Sequence, residues 1–149
     1  LLHQKRKDLS KTQIIEFSIL FIILNYFEIA SKKLEELSDI EFLSEKNESI
    51  KNIIIVALTK GNNKDDMQKK INIEYTKLLE EIKENSNIQL ITKDKTNQDV
   101  LDLLNELIID FKEQKNLKKI ESLEKKLINN LDENSYSELI KLKSQLNRD

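Results

Sequence analysis

Residues 14–30 form the most apolar run of the chain, IIEFSILFIILNYFEIA. The run carries two charges, Glu16 and Glu28, whereas a membrane-spanning helix needs about 20 residues with few or no charges. Its apolar positions recur at three- and four-residue spacing, and most of the positions between them are apolar too. This pattern predicts a helix over residues 11–27 that is covered on nearly all sides and forms the centre of a helical domain.

Glycine and proline are nearly absent, since the 149 residues contain one Gly and no Pro. The tight reversals of β-hairpins depend on such residues, so the composition argues against a β fold and predicts an all-α protein. There is no Cys, and the one histidine is His3. These counts remove thiolate nucleophiles, disulfide frameworks and multi-histidine metal sites. We therefore expect a segment without catalytic residues or cofactors, and an enzyme is the least favoured class.

Capping signals and apolar periodicity predict the remaining helices. In chain order they are a short helix over residues 28–37, an amphipathic helix from Ser44 that stops at Gly61, a helix from Met67 to about Asn85 with a break near Asn72, a long helix over residues 97–129, and a last helix after Asp132. Thr96, with Asp99 three residues on, has the spacing of a capping box. Residues 86–95 are predicted to be a connecting loop.

The long helix predicts a division of the chain. At about 1.5 Å per residue it would measure about 50 Å, which is longer than a domain of this size needs. Two helices joined by the short polar break at residues 129–132 must run antiparallel. We predict a globular helical bundle over residues 1–111 followed by a C-terminal helical hairpin over residues 112–149. Because a hairpin buries a single seam, it should be held by a partner, be marginally stable alone, or both.

Charge is distributed without a strong bias. Residues 61–111 carry seven basic and eleven acidic groups, and residues 112–149 carry nine and seven. Neither clustered Arg nor aromatic residues among basic ones are present, so no direct nucleic-acid binding is expected. The basic cluster of the hairpin is expected to be solubilising, or alternatively to steer an acidic partner; it comprises Lys118, Lys119, Lys125 and Lys126. No signal peptide is recognisable, and a cytoplasmic location without membrane contact is expected.

Two stretches carry a resemblance to a known family. They are residues 19–37, ILFIILNYFEIASKKLEEL, and residues 123–146, LEKKLINNLDENSYSELIKLKSQL. Together with the helix start at Glu48 and the long helix, they resemble the C-terminal helicase-binding domain of bacterial replicative DNA primases. The similarity extends over residues 16–147. Tyr26 and Phe27 stand where that family often has a His-Pro pair.

The resemblance implies an adaptor. In that family the terminal hairpin docks onto the N-terminal domains of the hexameric replicative helicase and brings primer synthesis to the replication fork. The catalytic domains of a primase would then precede Leu1, and the segment alone would be a monomer or weak dimer. By position, the residues that the resemblance assigns to partner binding are Ile128, Leu131, Asp132, Tyr136, Leu139, Ile140, Lys143 and Leu146. Tyr136 is the preferred anchor because an aromatic side chain gives a large contact area at low entropic cost.

Two other interpretations stay open. The N-terminal domain of the replicative helicase is similar in fold, but it should be followed by a linker helix and an ATPase domain, whereas this chain is expected to end at Asp149. The second is a free-standing coiled-coil assembly protein in which the helix over residues 97–129 pairs with a second copy. A stable dimer formed through the hairpin would favour that interpretation.

Overall fold

The computed structural model describes residues 10–61, 64–85, 91–129 and 133–146. Within these ranges the regular structure is helical throughout and no strand occurs, which confirms the predicted all-α fold. The helices are α1 (Lys11–Asn25), α2 (Phe27–Lys32), α3 (Leu34–Asp39), α4 (Glu45–Thr59), α5 (Lys64–Asn85), α6 (Asn97–Asn129) and α7 (Glu133–Leu146).

Helix α1 is the centre of the bundle, as its apolar pattern predicts. Its start is fixed by a capping box, in which Gln13 N–H donates to Ser10 Oγ at 3.2 Å and Ser10 N–H donates to Gln13 Oε1 at 3.0 Å. Helices α2, α4 and α5 pack against it. The residues of α1 with no exposed surface include Ile19, Leu20, Ile22 and Ile23. The helix ends at Asn25 and not at residue 27, because Tyr26 leaves the helical conformation at φ −130° and ψ 70°.

The region after α1 differs from its prediction. The single helix predicted over residues 28–37 is two short helices, α2 and α3, separated at Lys33 with φ −119° and ψ 22°. Helix α4 starts at the predicted cap, where Asn47 N–H donates to Ser44 Oγ at 3.4 Å. The chain then turns at Gly61, whose φ of +69° is the left-handed conformation that glycine adopts without strain. The predicted stop signal is confirmed.

The breaks around α5 also fall differently from the prediction. Helix α5 is interrupted at Tyr75, with φ −132° and ψ 32°, three residues beyond the break predicted near Asn72. In the predicted loop before α6, Ile91 and Thr92 are helical and a turn follows. The Thr96 capping box is present, because Asp99 N–H donates to Thr96 Oγ1 at 3.1 Å and Thr96 N–H to Asp99 Oδ2 at 3.3 Å. Helix α6 then has the predicted bounds.

The chain divides into two compact units, Leu1–Ile109 and Asp110–Asp149. The sequence predicts a division between residues 111 and 112, which is two residues later in the chain. The core of the first unit is completed by apolar side chains from α3 to α6; the most deeply buried include Leu37, Ile50, Ile54, Ile71, Ile82 and Leu104. The second unit contains the last part of α6 and the whole of α7.

Candidate protein-docking surface

A single apolar seam joins α6 and α7 in the second unit. Three of its side chains are buried, Ile120 and Leu123 from α6 and Leu139 from α7. Partly buried leucines pack against them: Leu127, Leu142 and Leu146. The spacing is identical on the two helices, since residues 120, 123 and 127 match residues 139, 142 and 146. Each helix therefore contributes one narrow stripe and leaves its other sides outside the seam.

An ion pair marks one side of this seam. Lys143 Nζ lies 3.1 Å from Glu124 Oε1, and the two side chains are about half exposed, at 54% and 46%. A pair in such a position contributes about 0–1 kcal/mol, so its stabilising effect is small. The ion pair is more useful as a geometric marker. It shows that the side of α6 carrying Glu124 faces the same way as the side of α7 carrying Lys143.

Apolar side chains from both helices lie on the side of the helix pair that this ion pair marks. Successive residues of an α-helix are rotated by about 100°, so residues three or four apart share a face. Ile128 follows Glu124 by four residues, and Ile140 precedes Lys143 by three. Tyr136 precedes Ile140 by four. We call Ile128, Tyr136 and Ile140 the apolar flank.

The apolar flank is open to solvent. Ile128 is 83% exposed, Tyr136 56% and Ile140 51%. Isolated apolar residues are common on protein surfaces, but several on one side of one helix pair are typical of an interaction site. The flank also has a polar border, since the Glu124–Lys143 pair lies one helical turn from Ile128 and Ile140. An apolar centre with a charged border is the usual arrangement of a protein interface.

The remaining residues of the predicted site have other positions. Leu139 and Leu146 belong to the seam, where they support the flank without being part of its surface. Lys143 is held by Glu124. Leu131 and Asp132 lie outside the described residues. Glu124 was not predicted, because its partner is on another helix and no spacing along the sequence indicates the pair.

A second group of polar residues is buried in the first unit. Glu16 has no exposed surface, and its carboxylate accepts hydrogen bonds from Leu43 N–H at 2.7 Å, Ser44 N–H at 3.4 Å and Asn47 Nδ2 at 2.9 Å. Burial raises the pKa of the Glu16 carboxyl above its usual value, although these hydrogen bonds act in the opposite direction. The carboxylate thus fixes the start of α4 to α1.

Lys51 completes this buried group from α4. Its Nζ donates to the carbonyl oxygens of Leu37, at 3.0 Å, and Ile40, and lies 2.8 Å from Glu48 Oε1. The same ammonium lies 5.2 Å from the centroid of the Phe42 ring. These contacts join α4 to the end of α3 and to the segment that follows it. We interpret the group as structural, since the ammonium is buried and its contacts are all within the protein.

No group of three or more His, Cys, Asp or Glu side chains that could hold a metal ion occurs among the described residues. None of the helices described there has the length and apolar character required to cross a bilayer.

Comparison with protein-family models, with curated proteins and with solved structures finds no match in any of the three. The assignment of function therefore depends on this chain's own residues.

Proposed function

We propose that this chain is a protein-docking adaptor whose apolar flank binds a helical partner. The partner we propose is the hexameric replicative helicase, contacted at its N-terminal domains, and the protein to which the adaptor belongs would be a DNA primase. In this role the segment performs no chemistry. It would bring primer synthesis to the place where the duplex is opened, by equilibrium binding alone.

The observation that carries the proposal is the exposure of Ile128, Tyr136 and Ile140 on one side of the α6–α7 pair. Two apolar anchors four residues apart on one helix, Tyr136 and Ile140, with Ile128 of the neighbouring helix on the same side, fit a groove between partner helices. The sequence resemblance to primase helicase-binding domains specifies which partner is proposed.

The seam explains how so small a unit could present this surface. Leu139 is buried and lies next to Ile140 in the sequence, so the seam fixes the rotation of α7 about its own axis. That rotation determines where Tyr136 and Ile140 point. A surface that is arranged before binding loses less side-chain and backbone entropy when the partner docks.

Calorimetric titration of the full chain with the replicative helicase of the same genome tests the proposal. Binding of the unsubstituted chain is expected, and the double variant Tyr136→Ala, Ile140→Ala should weaken it at least 100-fold, because truncating an interface anchor costs about 2 kcal/mol or more. Ile73→Ala is the matched control, since Ile73 is an 84% exposed isoleucine on α5. It should bind as the unsubstituted chain does.

Two results would contradict the proposal. One is the absence of a complex with the helicase, and the other is equal binding by the double variant and the unsubstituted chain. Light scattering of the chain alone distinguishes the proposal from the coiled-coil interpretation. A stable dimer that the double variant disrupts would assign the flank to self-association.

A further inference from the structure

A row of lysines occupies the outer side of α6 in the second unit. Its members are Lys115, Lys118, Lys119, Lys125 and Lys126, which we call the lysine face. Together with Ser122 they stand at positions i, i+3, i+4, i+7, i+10 and i+11, which is the pattern of one side of a helix with 3.6 residues per turn. The face extends over about 16 Å of helix, at about 1.5 Å per residue.

The lysine face is separate from the surface proposed for docking. Successive residues of α6 are rotated by about 100° about the helix axis. By this measure the centre of the lysine face is about 130° from the centre of the seam positions Ile120, Leu123 and Leu127. Glu124 is rotated from the seam in the opposite direction. The apolar flank lies on the Glu124 side. One helix pair therefore presents two chemically different surfaces, and occupation of one leaves the other open.

Four of the five charges of the lysine face are not neutralised by the described part of the chain. Lys118, Lys119, Lys125 and Lys126 are exposed, and none of the four has a carboxylate partner among the residues that the structure describes. The nearest acidic residue along α6 is Glu121, at the edge of the face, and Glu124 is bound to Lys143.

The composition of the lysine face distinguishes between kinds of partner. Protein interfaces are enriched in aromatic side chains and depleted in Lys at their centres, whereas this face contains only Lys and Ser. Single-stranded nucleic acid is generally held by aromatic side chains on which bases stack, and the face offers none. What remains is a row of flexible point charges, which suits the regularly spaced phosphates of a duplex without reading its bases.

We infer that the lysine face binds the phosphate backbone of duplex nucleic acid without regard to sequence. The count of nine basic and seven acidic groups in residues 112–149 does not reveal a basic surface, because a count by segment does not separate the sides of a helix. The net charge of −2 for the whole chain does not oppose it strongly. At 0.1 M salt, charges farther away than about 10 Å are largely screened.

The test is fluorescence anisotropy of the full chain with labelled 24-base-pair DNA duplexes of two unrelated sequences, over a range of salt concentration. Both duplexes should bind equally, and log K should fall with log salt at a slope of about −4, since each phosphate contact contributes about −0.9. The variant Lys118→Gln, Lys119→Gln, Lys125→Gln, Lys126→Gln should bind at least tenfold more weakly at 50 mM salt, with a slope near −1.

The matched control removes four exposed lysines from the first unit: Lys69→Gln, Lys77→Gln, Lys83→Gln and Lys93→Gln. It has the same net charge as the test variant, and Gln has nearly the helix propensity of Lys, so both variants should fold. The control should retain most of the affinity. An equal loss in the two variants, no binding at 50 mM salt, or binding to phosphatidylserine vesicles without binding to DNA would overturn the inference.

Discussion

Glu16 is a charged side chain in the most buried helix of the molecule. Three donors converge on its carboxylate, from Leu43, Ser44 and Asn47, and they join α1 to the start of α4. The other amide atom of Asn47, Oδ1, is buried without a hydrogen-bond partner in the described structure. Burial raises the pKa of this carboxyl because the charged form loses more solvation than the neutral form. The stability of the protein should therefore depend on pH through Glu16.

The raised pKa of Glu16 predicts a pH dependence of stability opposite to that of a salt-bridged carboxylate. Since its pKa is higher in the folded than in the unfolded state, the folded protein holds the proton more tightly between those two values. The Glu16 contribution to the free energy of unfolding should therefore rise as pH falls from neutrality through the folded pKa toward the ordinary glutamate value of about 4.3.

Urea unfolding of the Glu16→Gln variant between pH 7 and pH 4.5 measures this contribution. At pH 7 the variant should be less stable by about 1–3 kcal/mol, because one amide oxygen replaces a carboxylate that accepts from three donors. The deficit should grow toward pH 4.5, as only the unsubstituted chain gains a proton at this site. Glu35→Gln, at an exposed position, is the matched control for the loss of one carboxylate. A deficit that is constant or shrinks as pH falls would refute the prediction.

Helix boundaries show which local features the sequence encodes and which it does not. The bounds of α6 follow from a capping box and an apolar repeat, both of which act within a few residues. The interruptions at Tyr26 and Tyr75 have no such signal, because tyrosine is not a helix breaker. The position of Lys51 is similar, since its carbonyl partners are 11 and 14 residues away.

The apolar flank was predictable only in part. The resemblance assigned Tyr136, Leu139, Ile140, Lys143 and Leu146 of the last helix to partner binding alike. In the structure the seam takes Leu139 and Leu146 and leaves Tyr136 and Ile140 exposed. A stripe of residues that are all apolar does not reveal which side meets the other helix. The Glu124–Lys143 contact supplies that information.

The end of α4 gives a prediction at the level of one element. An added Cβ at Gly61 would meet nothing within 4 Å, so the cost of a substitution comes from the backbone alone. At φ +69°, Gly61→Ala should destabilise the protein by about 1 kcal/mol, and Gly61→Asn by less, because Asn tolerates the left-handed region better. In thermal unfolding this corresponds to a decrease in Tm of about 3 °C for the Gly61→Ala variant. A Tm for that variant equal to that of the unsubstituted protein would contradict the assignment.

The two compact units should differ in local stability. The seam of the second unit has three buried side chains, whereas the bundle has a larger core. Leu123→Ala truncates one of those three side chains and should lower the free energy of local unfolding of the second unit by about 2–4 kcal/mol. Hydrogen exchange should therefore accelerate over residues 120–146 and stay unchanged in α1 and α4.

Mass spectrometry of exchanging peptides measures this effect, with Glu121→Ala as the control at a neighbouring exposed position. That control should leave exchange in both units near its original rate. If Leu123→Ala accelerated exchange equally in α1 and in α7, the predicted difference in local stability would be disproved.

The exposed ring of Tyr136 also makes the apolar flank visible to spectroscopy. The chain has no Trp, and of its three tyrosines only Tyr136 lies in residues 110–149. The phenol emission of the second unit thus comes from one ring, which is 56% exposed to solvent. In a chain whose other two tyrosines, Tyr26 and Tyr75, are replaced by Phe, this ring becomes an unlabelled optical reporter within the flank.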